Sequence, residues 1–195
     1  MKKTDFLLAG VGGQGIVVAS DVLAQVGLEH GYDVKKSEVH GMAQRGGSVV
    51  SHVRWADKVY SPLIGRGEAD HLLAFEKLEA LRYLDFLRFG GTVIVNDYAI
   101  PPVSVATGKD VYPDDQAVQR ALAAATSSHH VVPGLGAARE LGNIRTNNVV
   151  LLGSLSTLLD VPCATWKKVI ARRVPKRFID LNCAAFEVGR TLMHG

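Results

Sequence analysis

The fold is decided by a short apolar run that passes into a glycine-rich turn near the start of the chain. That stretch is Phe6-Leu7-Leu8-Ala9-Gly10-Val11-Gly12-Gly13-Gln14-Gly15-Ile16. An apolar run that ends in glycines is typical of a strand buried in a parallel sheet. Apolar residues then recur at helical steps of three and four, at Ile16, Ala19, Leu23 and Val26. The sequence therefore predicts a strand, a tight turn and a helix that Gly27 and Gly31 close.

Further strand and helix patterns alternate through the first two-thirds of the chain. Strands are predicted over 32–36, 69–75, 92–96 and 130–133. Amphipathic patterns predict a helix over 76–87, which Gly90 and Gly91 end, and a second helix through Ala125 with Asp114 as its N-cap. Such alternation predicts a mostly parallel sheet.

Two segments are predicted to depart from this pattern. Residues 48–55 alternate like a half-exposed strand, and Ala56-Asp57 is a tight connection to 58–61, so we expect a β-hairpin there. Residues 103–106 are expected to form a short edge strand. From residue 135 onward the pattern is largely helical. We therefore expect an α/β fold, a three-layer α/β/α Rossmann-like domain with a mostly parallel, mixed sheet, an inserted β-hairpin and C-terminal helices.

The bulk composition fits one domain over residues 1–195, with an α/β core over 1–134 and a helical part over 135–195. The chain has 195 residues, of which 47% are hydrophobic, and this is ample for a packed core. Its 22 basic and 19 acidic residues nearly balance, so a nucleic-acid-binding surface is not implied. No apolar stretch is long enough to span a bilayer. We expect a cytoplasmic protein that binds neither nucleic acid nor membrane.

No metal site is predicted from the residues themselves. The two cysteines, Cys163 and Cys183, do not form a C-x-x-C pair, so this chain alone cannot assemble an iron–sulfur or zinc site.

The glycine turn is a candidate anion-binding or coenzyme A-binding site. Its residues Gly10, Gly12, Gly13, Gln14 and Gly15 lie between a predicted strand and a predicted helix, where backbone N–H groups and the helix dipole attract anions. A tight turn without any ligand is the alternative. Dinucleotide binding is disfavoured, because the second strand ends in Lys35-Lys36-Ser37 and lacks the acidic residue that would hold a ribose. These two lysines would instead accept a phosphate.

A polar segment follows the second predicted strand and is predicted to be a loop facing a ligand or partner. Its expected contact residues are Ser37, Glu38, His40, Gly41, Met42, Gln44, Arg45, Gly46 and Gly47. His40 is a candidate general acid or base, Arg45 a candidate carboxylate ligand, and Glu38 a candidate to orient either one. A subunit-interface role, in which Arg45 and Gln44 bond to the backbone of another chain, is favoured over direct catalysis.

At these residues the chain resembles the gamma-type subunits of 2-oxoacid:ferredoxin oxidoreductases, and most of all the small (beta) subunit of the indolepyruvate type. The matching segments are 10–16, 37–49, 60–64, 67–70, 76–84 and 91–96. The segment His40-Gly41-Met42-Ala43-Gln44-Arg45 is more similar to the indolepyruvate type than to relatives acting on pyruvate or 2-oxoglutarate. The glycine turn alone would not be specific.

The resemblance implies a role in the oxidative decarboxylation of aryl pyruvates such as indolepyruvate. The products would be the acyl-CoA, carbon dioxide and reduced ferredoxin. A larger alpha subunit would carry thiamine diphosphate and the 4Fe-4S clusters, and coenzyme A would bind in the complex. This chain is then expected to hold no cofactor itself, to be inactive alone, and to be able to form a homodimer when isolated.

Three other functions stay open from the sequence. The chain could be the gamma subunit of a pyruvate or 2-oxoglutarate:ferredoxin oxidoreductase. It could be a stand-alone nucleotide-binding reductase that uses the glycine turn. It could also be a binding or assembly module without a direct catalytic role.

Overall fold

The core of the protein is a six-stranded sheet with strand order β2-β3-β1-β4-β5-β6. The computed structural model describes residues 3–40 and 47–193, and of His40 it describes the backbone alone. The strands are β1 (Thr4–Val11), β2 (Asp33–His40), β3 (Ser48–Ala56), β4 (Ala69–Ala74), β5 (Leu87–Asn96) and β6 (His129–Val132). The pairs β1–β4, β4–β5 and β5–β6 are parallel. Strand β3 is antiparallel to both β1 and β2. The sheet is therefore mixed and mostly parallel, as predicted.

Helices cover both faces of the sheet and complete a three-layer α/β/α domain. They are α1 (Ile16–Glu29), α2 (Lys77–Tyr83), α3 (Val103–Ala106), α4 (Asp115–Ala125), α5 (Gly134–Glu140), α6 (Asn147–Ser156), α7 (Cys163–Arg173) and α8 (Ile179–Thr191). One face packs against α1 and the C-terminal helices α5 to α8. The opposite face packs against α2 and α4. Asp114 caps α4 as predicted, because its side chain accepts a hydrogen bond from the N–H of Ala117.

Helix α6 is the centre of the C-terminal helical layer. All ten of its residues are buried. It crosses α8 at two glycines, where a Cβ on Gly153 would lie 2.1 Å from the carbonyl oxygen of Phe186. A Cβ on Gly189 would lie 1.9 Å from the carbonyl oxygen of Val150. The two backbones touch, so these positions admit no side chain.

The predicted hairpin between 48–55 and 58–61 is wrong. Strand β3 pairs instead with β2 on one side, from Asp33 opposite Ala56 to His40 opposite Val49, and with β1 on the other. Residues 58–61 are not in a strand. Because β3 lies inside the sheet, most of its residues are buried, and it is not half exposed. The hairpin that exists joins β2 to β3 through the predicted polar segment.

Four other boundaries differ from the sequence predictions. Strand β2 continues to His40, so Ser37 and Glu38 belong to a strand rather than to a loop. Helix α1 passes through Gly27 and ends at Glu29. Helix α2 ends at Tyr83, and Gly90 and Gly91 lie inside β5.

The predicted edge strand over residues 103–106 is also wrong, because this segment forms the short helix α3. Pro102 precedes its first residue, and the N–H of Ala106 donates to the Pro102 carbonyl oxygen at 3.1 Å. A proline that sets φ near the helical value at the start of a segment favours a helical turn there.

Candidate functional site

The glycine turn lies at the switch point of the sheet. Helix α1 leads from β1 towards β2, and α2 leads from β4 towards β5, so the chain moves in opposite directions from the neighbouring strands β1 and β4. Parallel α/β sheets form a crevice at the carboxyl ends of the strands where the direction reverses. The turn therefore occupies the place where such folds bind ligands.

The glycines are required by the shape of the turn itself. Gly13 and Gly15 have φ values of 104° and 81°, in the left-handed region that glycine adopts without strain. At Gly10, a Cβ would lie 2.7 Å from Oε1 of Gln14 and 2.8 Å from Cβ of Phe75. The glycine pattern is thus explained by backbone geometry before any ligand is considered.

Gln14 fills the inside of the turn. Its Oε1 accepts a hydrogen bond from the N–H of Val11 at 2.7 Å, and its Nε2 donates to the carbonyl oxygen of Phe75 at 2.9 Å. The N–H of Gly12 donates to the carbonyl oxygen of Gly47 at 2.9 Å. Two N–H groups that a diphosphate cradle would use are therefore already bonded within the chain. This arrangement disfavours dinucleotide binding independently of the missing acidic residue.

The predicted phosphate ligand Lys36 is held by two carboxylates. Its Nζ contacts Asp21, and it lies 2.5 Å from Oε1 of Glu38. Burial lowers the pKa of Lys36, but the hydrogen bonds to Asp21 and Glu38 outweigh this effect and leave the pKa raised. Lys36 is thus not available as the phosphate ligand that the sequence indicated. Glu38 points to the α1 side of the sheet through this pair.

The predicted polar segment is only partly within the described residues. Ser37 and Glu38 lie in β2, and Gly47 lies beside the glycine turn. Gly41, Met42, Gln44, Arg45 and Gly46 lie outside the described residues, as does the side chain of His40. Their roles stay predictions. The structure does bring the two ends of the segment to the same edge of the sheet as the glycine turn.

Sequence reasoning missed a cluster of polar side chains where the chain enters β3. Oγ of Ser48 donates to Oε2 of Glu79 at 2.5 Å and lies 3.1 Å from the hydroxyl of Tyr83. Nη1 of Arg82 donates to the other oxygen of Glu79 at 2.6 Å. The spacing of Glu79, Arg82 and Tyr83 on a predicted helix was the available signal, since residues three and four apart share one face.

A cleft of about 720 Å³ opens beside the glycine turn, between α1 and the C-terminal helices. Its walls are mostly apolar, with Val18 and Val22 of α1 and Phe178 among the lining residues. Arg145 also lines the cleft, and its guanidinium makes no ion pair within the described part of the chain. The cleft suits an apolar body that carries a negative charge.

Helix α6 joins the cleft to the glycine turn. Nδ2 of Asn148 donates to the carbonyl oxygen of Gly15 at 3.4 Å. Neither α1 nor α6 has a side-chain cap at its N-terminus, and neither has an acidic residue in its first turn. The positive ends of two helix dipoles therefore border the same cleft.

Neither a metal centre nor a membrane span is found in the part of the chain that the structure describes. Over residues 3–40 and 47–193, no group of three or more His, Cys, Asp or Glu side chains is arranged to hold a metal ion. No helix within these ranges is long and apolar enough to cross a membrane.

Comparison with known proteins identifies the family. Residues 5–192 match the family model described as pyruvate ferredoxin/flavodoxin oxidoreductase. The chain is 40% identical over 192 residues to the indolepyruvate oxidoreductase subunit IorB of Pyrococcus horikoshii, covering 97% of this chain and 95% of that protein. It is 41% identical over 192 residues to the IorB subunit of Thermococcus kodakarensis, with the same coverage.

A solved structure shares the fold along the whole chain. The gamma subunit of a keto/oxoacid ferredoxin oxidoreductase from Geobacter sulfurreducens superimposes with a TM-score of 0.72, at 24% identity, covering 98% of each chain. The family resemblance and the three-layer fold inferred from the sequence are both confirmed. The chain belongs to the pyruvate ferredoxin/flavodoxin oxidoreductase family, and it is a small subunit of a 2-oxoacid:ferredoxin oxidoreductase.

Proposed function

We propose that the chain is the small subunit of an indolepyruvate oxidoreductase, which oxidises aryl pyruvates in the cytoplasm. The observation that carries this proposal is the identity of 40% and 41% to two IorB subunits over nearly the full length of each. In such a complex the 2-oxoacid loses carbon dioxide, its acyl group passes to coenzyme A, and the released electrons pass to ferredoxin. A larger subunit would carry thiamine diphosphate and the 4Fe-4S clusters.

The surface we assign to the larger subunit lies at the carboxyl ends of the parallel strands, around the glycine turn. Val39 near the end of β2, Val103 in α3 and Ile144 beside the cleft are all exposed large apolar side chains at this edge. Ile144 and the glycine turn both line the cleft. Exposed apolar side chains beside a cleft are typical of a surface that binds a partner protein. The polar segment starts and ends at the same edge, so it would also face the larger subunit.

The experiment that tests the proposal is recovery of the native complex with this chain as bait, followed by a dye-reduction assay. Indolepyruvate and phenylpyruvate are compared with pyruvate and 2-oxoglutarate, each with and without coenzyme A. We expect a larger, cluster-bearing partner and activity that needs both an aryl pyruvate and coenzyme A. The isolated chain should be colourless and inactive.

Two outcomes would contradict the proposal in different ways. Activity confined to pyruvate or 2-oxoglutarate would keep the subunit role but replace the substrate class. Recovery of the chain alone, with NAD or flavin bound, would point to a stand-alone nucleotide-binding reductase.

A further inference from the structure

The chain enters β3 between two anchors that belong to different parts of the domain. On one side, the carbonyl oxygen of Gly47 accepts the N–H of Gly12 in the glycine turn. On the other side, the next residue, Ser48, donates its hydroxyl to the Glu79 carboxylate on α2. Two consecutive residues are thus fixed to the switch point of the sheet and to a helix of the opposite layer.

Glu79 is an unusual residue to find at this position. It is 2% exposed, and a buried carboxylate costs free energy unless other groups hydrogen-bond to it. Here Ser48 and Arg82 each bond one of its oxygens. An apolar side chain of similar volume would hold α2 against the sheet without this cost.

Glu79 is also not needed to start its own helix. Glu76 is the N-cap of α2, and its side chain accepts a hydrogen bond from the N–H of Glu79 at 2.9 Å. The carboxylate of Glu79 is therefore directed away from the helix end and towards Ser48. Tyr83, four residues later on the same helix face, bonds the same hydroxyl at 3.1 Å.

We propose that Glu79 is a positioning residue: through Ser48, it fixes where the chain enters β3 beside the glycine turn, and therefore how Gly47 and this turn meet the larger subunit. The inference rests on the proposed function, because it concerns turnover of the assembled complex. The hydrogen bond from Ser48 to the buried Glu79 carboxylate is the observation that carries it.

The test compares Ser48→Ala and Glu79→Gln in the assembled complex, with indolepyruvate as substrate. We expect kcat to fall about tenfold or more, because a misplacement on the order of 1 Å can cost about 100-fold in rate even when the mutated residue is far from the chemistry. The KM for indolepyruvate should stay within about twofold, since neither Ser48 nor Glu79 lines the cleft beside the glycine turn. Ser48→Thr keeps the hydroxyl and should restore most of the rate.

Ser128→Ala is the matched control. It breaks a comparable contact, Oγ of Ser128 to Oγ1 of Thr92 at 3.0 Å, at the amino end of the parallel strands, away from the switch point. We expect Ser128→Ala to lower the unfolding midpoint as Ser48→Ala does, without changing kcat. If Glu79→Gln does not fold, Ser48→Ala and its threonine rescue decide the question.

The outcomes separate this inference from the proposed function. A wild-type complex that turns over aryl pyruvates, together with Ser48→Ala at the wild-type kcat, would overturn the positioning role alone. Equal losses of kcat in Ser48→Ala and Ser128→Ala would show that the Ser48–Glu79 contact contributes only to general stability. That result would also overturn the positioning role. A wild-type complex without aryl-pyruvate activity would instead remove the proposed function.

Discussion

On one face of the sheet, α6 is buried along its whole length and meets α8 backbone to backbone at Gly153 and Gly189. On the other face, the N-cap Glu76 and the α2 residue Glu79 are two buried carboxylates that bond to the neighbouring chain segments. The first face is held by close packing, which depends on shape. The second is held near the sheet edge by hydrogen bonds, which depend on direction. The difference suggests that the α6 face fixes the fold, whereas the α2 face places the segments around the site.

The largest effect should come from filling the α6–α8 crossing. In Gly189→Ala the new Cβ would lie 1.9 Å from the carbonyl oxygen of Val150, and only separation of the two helices relieves that clash. We expect the free energy of unfolding, measured by denaturant titration, to fall by about 3 kcal/mol. Gly136→Ala is the control, because this helical glycine has nothing within 4 Å of its Cβ position. Equal stability of both variants would contradict close packing at the crossing.

A smaller loss is expected on the α2 face from Glu76→Ala. Glu76 is 1% exposed, caps α2, and accepts the N–H of Ile100 at 2.9 Å as well as the hydroxyl of Tyr112. Removing it leaves several donors without a partner, at a cost of about 2 kcal/mol.

Asp114→Ala is the comparison for Glu76→Ala, because it removes an exposed N-cap whose side chain accepts the N–H of Ala117. That variant should lose about 1 kcal/mol. Both values come from denaturant titration at neutral pH. If the exposed cap costs as much as the buried one, the bonds to Ile100 and Tyr112 contribute nothing measurable.

The smallest effect concerns pH and His52, which lies in β3 on the α2 side. Its Nδ1 accepts the N–H of Ile64 at 3.2 Å. Burial, assisted by the charge of Arg54, lowers the pKa of His52 in the folded protein. On acidification, His52 is therefore protonated in the unfolded chain before it is protonated in the folded protein. Its contribution to the free energy of unfolding is fully present above the ordinary histidine pKa of about 6.5 and is lost as the pH falls below that value.

The measurement is the free energy of unfolding of wild type and His52→Phe between neutral and mildly acidic pH. The variant should show a shallower loss on acidification. Some slope should remain, because burial also lowers the pKa of His130. An identical slope in both proteins would show that His52 does not contribute to the pH dependence.

Local patterns were enough to predict β1, the glycine turn, the central part of β5 and the cap at Asp114. Each of these depends on residues that are neighbours in sequence. The predicted pairing of β3 with residues 58–61 is wrong. Strand pairing depends on residues far apart in the chain, and the local sequence around 58–61 does not indicate that β3 pairs with β2 and β1. The sequence predicts a helix end at Gly27, but Gly27 lies inside α1, and it is a glycine because a Cβ there would lie 2.5 Å from Nε1 of Trp55.

The site was predictable to a similar degree. The sequence predicts the glycine turn and the polar segment as two separate candidates, and the structure brings Gly47 of the segment to Gly12 of the turn. Gln14 is predicted as part of an anion site, whereas in the structure its side chain bonds the backbone inside the turn. The Ser48–Glu79 contact was missed, because these residues are 31 positions apart and nothing in the sequence links them.

The bond from Asn148 to Gly15 joins residues that are 133 positions apart in the chain. The ribosome makes the glycine turn early and the helices that cover α1 last. Until α6 and α7 emerge, the apolar face of α1 that they bury stays exposed. A nascent chain stalled before residue 147 should therefore still be cleaved by a protease, because the helices that cover α1 have not yet been synthesised.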